Sequence, residues 1–297
     1  MSVRRASFSQ DITAGACLIL RDMRHLIRRP GQIIGSLATP LLFWAMLAGG
    51  FADAIAPESL ANTGAESFTT YLIPGSAMLV VVFAAMFSAM SLIEDRRTGV
   101  LALVTLSPRG SWVLPISKTA AGALIAWLQA MPILLLFPLF AAAPGASEAA
   151  RASATWPAWP AWSALSAWIG PLTLAAGWLL VAATSASAAA LALAAWCSTP
   201  RAFHGFINML FMPGWLLSGA MFPIATASAW MSAAAAANPF AWFHRSISAP
   251  LVSGVSETSA DGTVASAFLG LAACCVCMLI AMFSLTARRR AFARTEA

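Results

Sequence analysis

Charge is what this sequence has least of. Asp, Glu, Lys and Arg make up 9% of its 297 residues, where a water-facing domain carries roughly a quarter. That little polar surface cannot cover a globule in water, so a soluble fold is excluded. With 60% hydrophobic residues and a mean hydropathy of +0.79, the composition is that of an all-α polytopic membrane protein. Sites for chemistry are missing as well. No Gly-rich phosphate loop and no Gly-Lys-Ser/Thr triplet occurs, so the chain does not bind ATP in that way. No pair of acids has the pattern that holds magnesium and diphosphate. His25, His204 and His244 lie far apart, at the edges of apolar runs, where interfacial or capping roles suit them better than a metal site. Cysteine is sparse. Cys17 and Cys197 fall near ends assigned to the cytoplasm. Cys274, Cys275 and Cys277 sit in an apolar run without zinc spacing, as soft packing residues. No cysteine falls in a loop assigned to the outside, so no disulfide framework is implied. The first thirty residues are polar and basic and lack the apolar core of a cleavable signal, so the N-terminus is expected to stay in the cytoplasm.

What is present are long apolar runs. Residues 1–32 form an N-terminal segment with an amphipathic helix over 14–29. Ile19, Leu20, Met23, Leu26 and Ile27 share one face; Arg21, Asp22, Arg24, His25, Arg28 and Arg29 share the other, which suits a membrane surface with arginines near lipid phosphates. Pro30 and Gly31 then turn the chain into the bilayer. Six spans are expected within 33–287, at about 33–51, 71–92, 119–142, 165–196, 206–222 and 264–287, before a basic tail at 288–297. Pro132 and Pro138 are expected to kink the third span. The Ala/Ser run at 182–190 is expected to let helices approach closely.

The run 206–243 is too long for one crossing. Two crossings would carry Arg288, Arg289, Arg290 and Arg294 outside, so one span followed by an external re-entrant or interfacial helix around 229–237 is preferred. Trp156, Trp159 and Trp162, in the external loop 144–163, read as an aromatic belt at the headgroup level, with a substrate-contacting lip as the sharper alternative. With both ends inside, fifteen of the seventeen basic residues face the cytoplasm, and only Arg151 and Arg245 lie outside. The net charge of +6 therefore reports cytoplasmic loops, not a nucleic-acid partner. No charged residue falls securely within a span. That argues against an ion-coupled carrier, and it leaves an apolar pathway suited to amphipathic cargo.

The densest mid-chain charge is in the inner loop 93–118. Glu94, Asp95, Arg96 and Arg97 mark the inner surface after the second span, and Gly99 allows a bend. Val100, Leu101, Val104 and Leu106 form the apolar side of a short helix ending by Pro108. A protruding helix with charges at its base and apolar side chains at its tip fits a cleft on a partner domain.

These residues resemble a known family. Ile93 to Leu101, reading IEDRRTGVL, then Leu106-Ser107-Pro108 and the downstream Lys118, is similar to the inner loop of ABC-2 type transporter permeases. Ser218-Gly219 with Pro223, followed by Asn238-Pro239 and Arg245, is similar to that family's outer signatures. The order of surface helix, spans and external segment fits along nearly the whole chain. One departure is Ala102, where many relatives carry an acid.

The resemblance implies a permease and not an enzyme. It implies no cofactor on this chain, with ATP and magnesium carried by a separate ATP-binding subunit docked on the 94–108 loop. It also implies a second copy as homodimer partner, contact with membrane lipids, and a place in a bacterial inner membrane. The EDRR form of the loop looks closest to drug-resistance and nodulation-factor exporters. The expected cargo is a drug-like, lipid-linked or glycan amphiphile moved outward. The alternatives are an assembly or anchoring protein without transport, and a membrane-embedded lipid-modifying enzyme.

Overall fold

A computed structural model describes residues 8–51, 60, 65, 67–99, 112–141, 166–224, 227–252, and 269–270, 272–273, 276–277 and 279–280. The described residues form helices and turns with no strand among them. The helices are α1 (Phe8–Ile27), α2 (Pro30–Phe51), α3 (Phe68–Arg97), α4 (Val113–Leu134), α5 (Phe137–Phe140), α6 (Ile169–Trp196), α7 (Pro200–Leu216), α8 (Ala229–Ala236) and α9 (Pro239–Ser248). Among the described residues, four stretches are long and apolar enough to cross a membrane: Pro30–Phe51, Phe68–Arg97, Val113–Phe140 and Ile169–Trp196.

The sequence explains where most of these helices begin and end. Asp11 lies in the first turn of α1, and Arg24 and His25 in its last, each complementing the helix dipole. Pro30 serves as the first residue of α2, a position that needs no backbone donor. Ser67 and Thr70 close a reciprocal capping box at the start of α3. Gly99, at φ 77°, stops α3 with a left-handed residue that needs no Cβ. Thr199 and Asn238 cap α7 and α9, each followed by proline at the first helical position.

α3, α4 and α6 pack on one another as the centre of the protein. α3 is buried along most of its length. Small residues permit the close approach: a Cβ on Gly122 of α4 would lie 3.0 Å from Ser88 Oγ of α3 and 3.1 Å from Ser187 Oγ of α6. The Ala/Ser run is indeed turned inward, with Ala182, Ala183, Ala188 and Ala190 buried. α2 covers α3, and α1 lies against α4. At that crossing a Cβ on Gly15 would stand 3.0 Å from Ser117 Oγ. α9 packs on α6 and α3.

Several boundaries differ from the sequence reading. α3 continues through Arg97 instead of ending near 92, because Glu94, Asp95 and Arg96 find partners that keep the last turn wound. α4 begins at Val113, six residues before the expected 119. Its break falls at Leu135 and Leu136, between Pro132 inside α4 and Pro138 at the start of α5. The expected fifth span at 206–222 is displaced: α7 runs Pro200–Leu216, and 217–223 form turns around Gly219, whose φ is 84°. The helix expected at 229–237 is α8, but the chain then re-enters a helix, α9, where an external loop was expected from Arg245. The docking helix at 100–106, the Trp-rich loop 144–163 and the tail 288–297 lie outside the described residues, as does most of the expected sixth span 264–287.

Candidate functional site: a charged hub at one end of the bundle

The last turn of α3 carries Glu94, Asp95, Arg96 and Arg97 in succession. At 100° per residue, four consecutive side chains fan out in four directions. The first three reach different neighbours. Arg29, between α1 and α2, donates to both oxygens of Glu94 at 3.1 and 2.9 Å. Arg96 donates across to α6, to the carbonyls of Cys197 at 2.9 Å and Ala195 at 3.3 Å, which neutralises the carbonyl end of that helix. Arg97 is exposed, and the chain turns away two residues later at Gly99.

Asp95 lies at the centre. Its Oδ2 accepts from Arg21 Nη2 at 2.7 Å and pairs with Lys118 Nζ at 2.6 Å. Lys118 Nζ also meets Asp22 Oδ2 at 2.9 Å and donates to Ser91 Oγ at 3.0 Å, so its three N–H donors have three acceptors. Arg21 closes the circuit on Asp22 Oδ1 at 2.9 Å. The result is a ring of alternating sign, Arg21, Asp22, Lys118, Asp95, drawn from α1, α4 and α3. The Lys118 side chain is 2% exposed, Asp22 9% and Asp95 18%. Burial lowers the basicity of Arg21, but the hydrogen bonds and charges of Asp22 and Asp95 outweigh it and hold its pKa above the ordinary value. Two carboxylates and two cations cancel, which is what permits ionised groups at this depth.

The opposite end of α3 holds the second motif. Ser218 Oγ donates to the Trp215 carbonyl at 2.5 Å, and Ala220 N donates back to Ser218 Oγ at 3.3 Å, which shapes the turn after α7. Gly219 takes the positive φ of that turn, and its carbonyl accepts from the Tyr71 hydroxyl. Trp215 Nε1 donates to the Gly75 carbonyl at 2.9 Å. A Cβ on Gly75 would lie 2.6 Å from the Ala220 carbonyl oxygen, so only glycine admits this segment against α3. Asn238 does two jobs: its Oδ1 accepts from Phe240 N at 3.0 Å, and its Nδ2 donates to the Gly214 carbonyl at 2.6 Å. The α9 start is thereby tied to the α7 end. Pro223 lies at the close of the turn and Pro239 opens α9. His244, expected at an edge, is instead buried beside Tyr71, ring centroids 6.3 Å apart and edge-on.

Of the residues singled out in the sequence, Glu94, Asp95 and Arg96 are brought together with α1, α4 and α6 and are engaged inside the chain. Arg97 and Gly99 face outward. Leu101, Val104 and Pro108 lie outside the described residues. Ser218, Gly219, Asn238 and Pro239 converge at the α7–α9 junction. Sequence reasoning missed the inward role of Arg21, Asp22 and Arg29, which it assigned to the membrane surface. It also missed the burial of Lys118, which it placed before the third span and which lies in α4. One signal was available: Lys118 is the single lysine among seventeen basic residues.

A family model described as "ABC-2 family transporter protein" matches residues 53–288. No curated protein matches the chain.

Proposed function

Since this chain belongs to the ABC-2 family of transporter proteins, and is thus a multi-pass membrane permease that carries transport and not an enzyme's chemistry, we propose that it is the membrane half of an exporter driven by a separate ATP-binding subunit. The observation that carries the reading is the charged hub. Glu94, Asp95 and Arg96 bind the α1–α2 junction, α1 with α4, and α6, all within one helical turn. Any force on the segment that leaves this turn at Gly99 is passed to five helices at once. A motor subunit gripping the 100–108 segment, with Arg97 at its base, therefore moves the bundle as a unit and not one loop.

In this reading the hub end faces the cytoplasm of a bacterial inner membrane, both termini lie there, and the α7–α9 junction lies near the outer surface. Six spans per chain, with the fifth built on α7 and the sixth on 264–287, are half of the usual transporter, so two copies pair. The cargo is an amphiphile, in keeping with the apolar spans. ATP and magnesium stay on the motor.

The test is reconstitution of the chain with an ATP-binding subunit that co-purifies with it. Arg97→Glu is expected to leave ATP hydrolysis in place and to lower export at least tenfold. Export equal to that of the natural chain would remove the docking role. A cysteine placed at Ser111 is expected to react only from the cytoplasmic side, and labelling from outside would invert the orientation.

A further inference from the structure

We propose that an apolar pocket between α3, α6, α7 and α9, open on one side, is a binding site for the hydrocarbon chain of an amphiphile. Its volume is about 300 Å³. Met78 and Val82 of α3, Ala182 and Ala186 of α6, Phe211 of α7 and Phe240 of α9 line it, and Cys277 of the last apolar stretch closes one side. It is about twice the ~150 Å³ of an engineered apolar cavity that stays dry and takes up benzene, and it reaches the lower end of ordinary ligand pockets.

The hollow is built into the sequence. Alanines on α6 stand where larger side chains would fill the space. On the facing wall, Gly214 leaves room for Phe240, whose ring carbons would lie 2.9 and 3.0 Å from a Cβ there. Phe211 meets the same ring edge-on at 5.5 Å. Phe240 is therefore held back by its neighbours and does not collapse inward. Among the described residues, the polar side chains that reach the wall are Ser185 and Asn238, and Asn238 spends its amide on Gly214 and Phe240 N. A water inside would lack the two to four partners it needs, whereas an alkyl chain needs none. Leu210, also on the wall, is 63% exposed, and its neighbour Met209 is 78% exposed. The cavity thus borders the apolar outer face of α7, and in a bilayer a chain enters from the side, along the hydrocarbon.

Two sources share this chemistry: a bilayer phospholipid and a single-chain cargo amphiphile. The test uses the purified full chain in phosphatidylcholine nanodiscs. One arm carries phosphatidylcholine with a mid-chain diazirine; the other carries a dodecyl glucoside with the same group. Cross-linked peptides are mapped by mass spectrometry. Saturable labelling around Met78–Val82, Ala182–Ala189 and Phe240 is expected in at least one arm, and the arm names the source. Ala186→Phe is expected to cut that labelling at least tenfold while labelling at the exposed Leu42 and Met46 stays as before. Where the dodecyl glucoside arm labels the pocket, saturating dodecyl glucoside is expected to slow alkylation of Cys277 in the natural chain by N-ethylmaleimide about tenfold, which gives a reading that needs no variant. Diffuse, unsaturable labelling in both arms overturns the proposal, as does a Cys277 rate indifferent to dodecyl glucoside when that arm labels. No motor subunit takes part, so the result stands apart from the export reading.

Discussion

Replacing Lys118 by methionine tests the charged hub most directly. The ammonium sits 2.9 Å from Asp22 and 2.6 Å from Asp95. At an effective dielectric constant near 20, each pair is worth roughly 6 kcal/mol of gross attraction. Most of that is offset by the several kcal/mol it takes to bring each ion out of water. The substitution, however, removes only one sign. Asp22 and Asp95 then face each other with side chains 9% and 18% exposed. Losing one partner of a buried ion pair costs about 3–5 kcal/mol. Arg21 still reaches both acids, at 2.9 and 2.7 Å, so the low end, about 3 kcal/mol, is expected.

The assay is reversible unfolding of the purified chain in mixed detergent, with three companions. Arg29→Met breaks the Arg29–Glu94 pair, whose side chains are 41% and 37% exposed; it is expected to cost about 0–1 kcal/mol, the range of solvent-exposed pairs. Arg21→Met falls between the two. The double change Asp22→Asn, Lys118→Met leaves Arg21 paired with Asp95 and no stranded charge, and is expected to recover much of the loss, as neutral replacements of buried ion groups do. If Lys118→Met costs no more than Arg29→Met, or if the double change recovers nothing, the ring is not a buried, mutually compensated network and the reasoning fails.

Two other changes probe the far end of the bundle. Gly75→Ala places a Cβ 2.6–2.9 Å from the backbone of Ala220; overpacking of this kind costs about 1–3 kcal/mol, and the same unfolding assay is expected to register it, along with faster proteolysis within 217–223. Asn238→Ala removes the α9 cap and the tie to Gly214 together; a loss of about 1–2 kcal/mol is expected, and Asn238→Asp, which keeps the cap but not the amide donor, is expected to recover only part of it.

How much of this was legible in the sequence depends on whether a residue's partner lies near it along the chain. The helices were readable because apolar length is a local property, and so was the surface helix, whose apolar face repeats every three to four residues. The charged turn was found for the same reason: EDRR is contiguous. Its partners were not found. Arg21 and Asp95 are separated by 74 positions and Arg29 and Glu94 by 65, and no periodicity links them. The end of α7 was misplaced because hydropathy continues through 217–222 while the helix does not; what ends it is the backbone of Gly219 and the bond from Tyr71, neither of which changes the apolar signal. α9 was overlooked because Arg245 marks the surface in a charge count, yet the same helix buries Phe243 and Ile247 on its other side.

The hub explains why charge is both scarce and clustered in this chain. An amphipathic helix with only arginines on its polar face would rest on lipid phosphates and slide freely. Asp22 makes the difference. It pairs with a lysine that begins a crossing helix, and Asp95 turns that pair into a ring. Were the ring exposed to water, it would contribute little to stability. Buried, it has one low-energy arrangement, because each displaced charge would be left without a partner in a poorly solvated place. α1, α3 and α4 are thereby held in register at one end by charge, while the rest of their contact is apolar packing in which Ala, Gly and Ser alternate with larger aliphatic side chains, and which is less directional than the ring. A transporter needs a handle that is rigid where force arrives and compliant where cargo passes, and these two kinds of contact supply the difference.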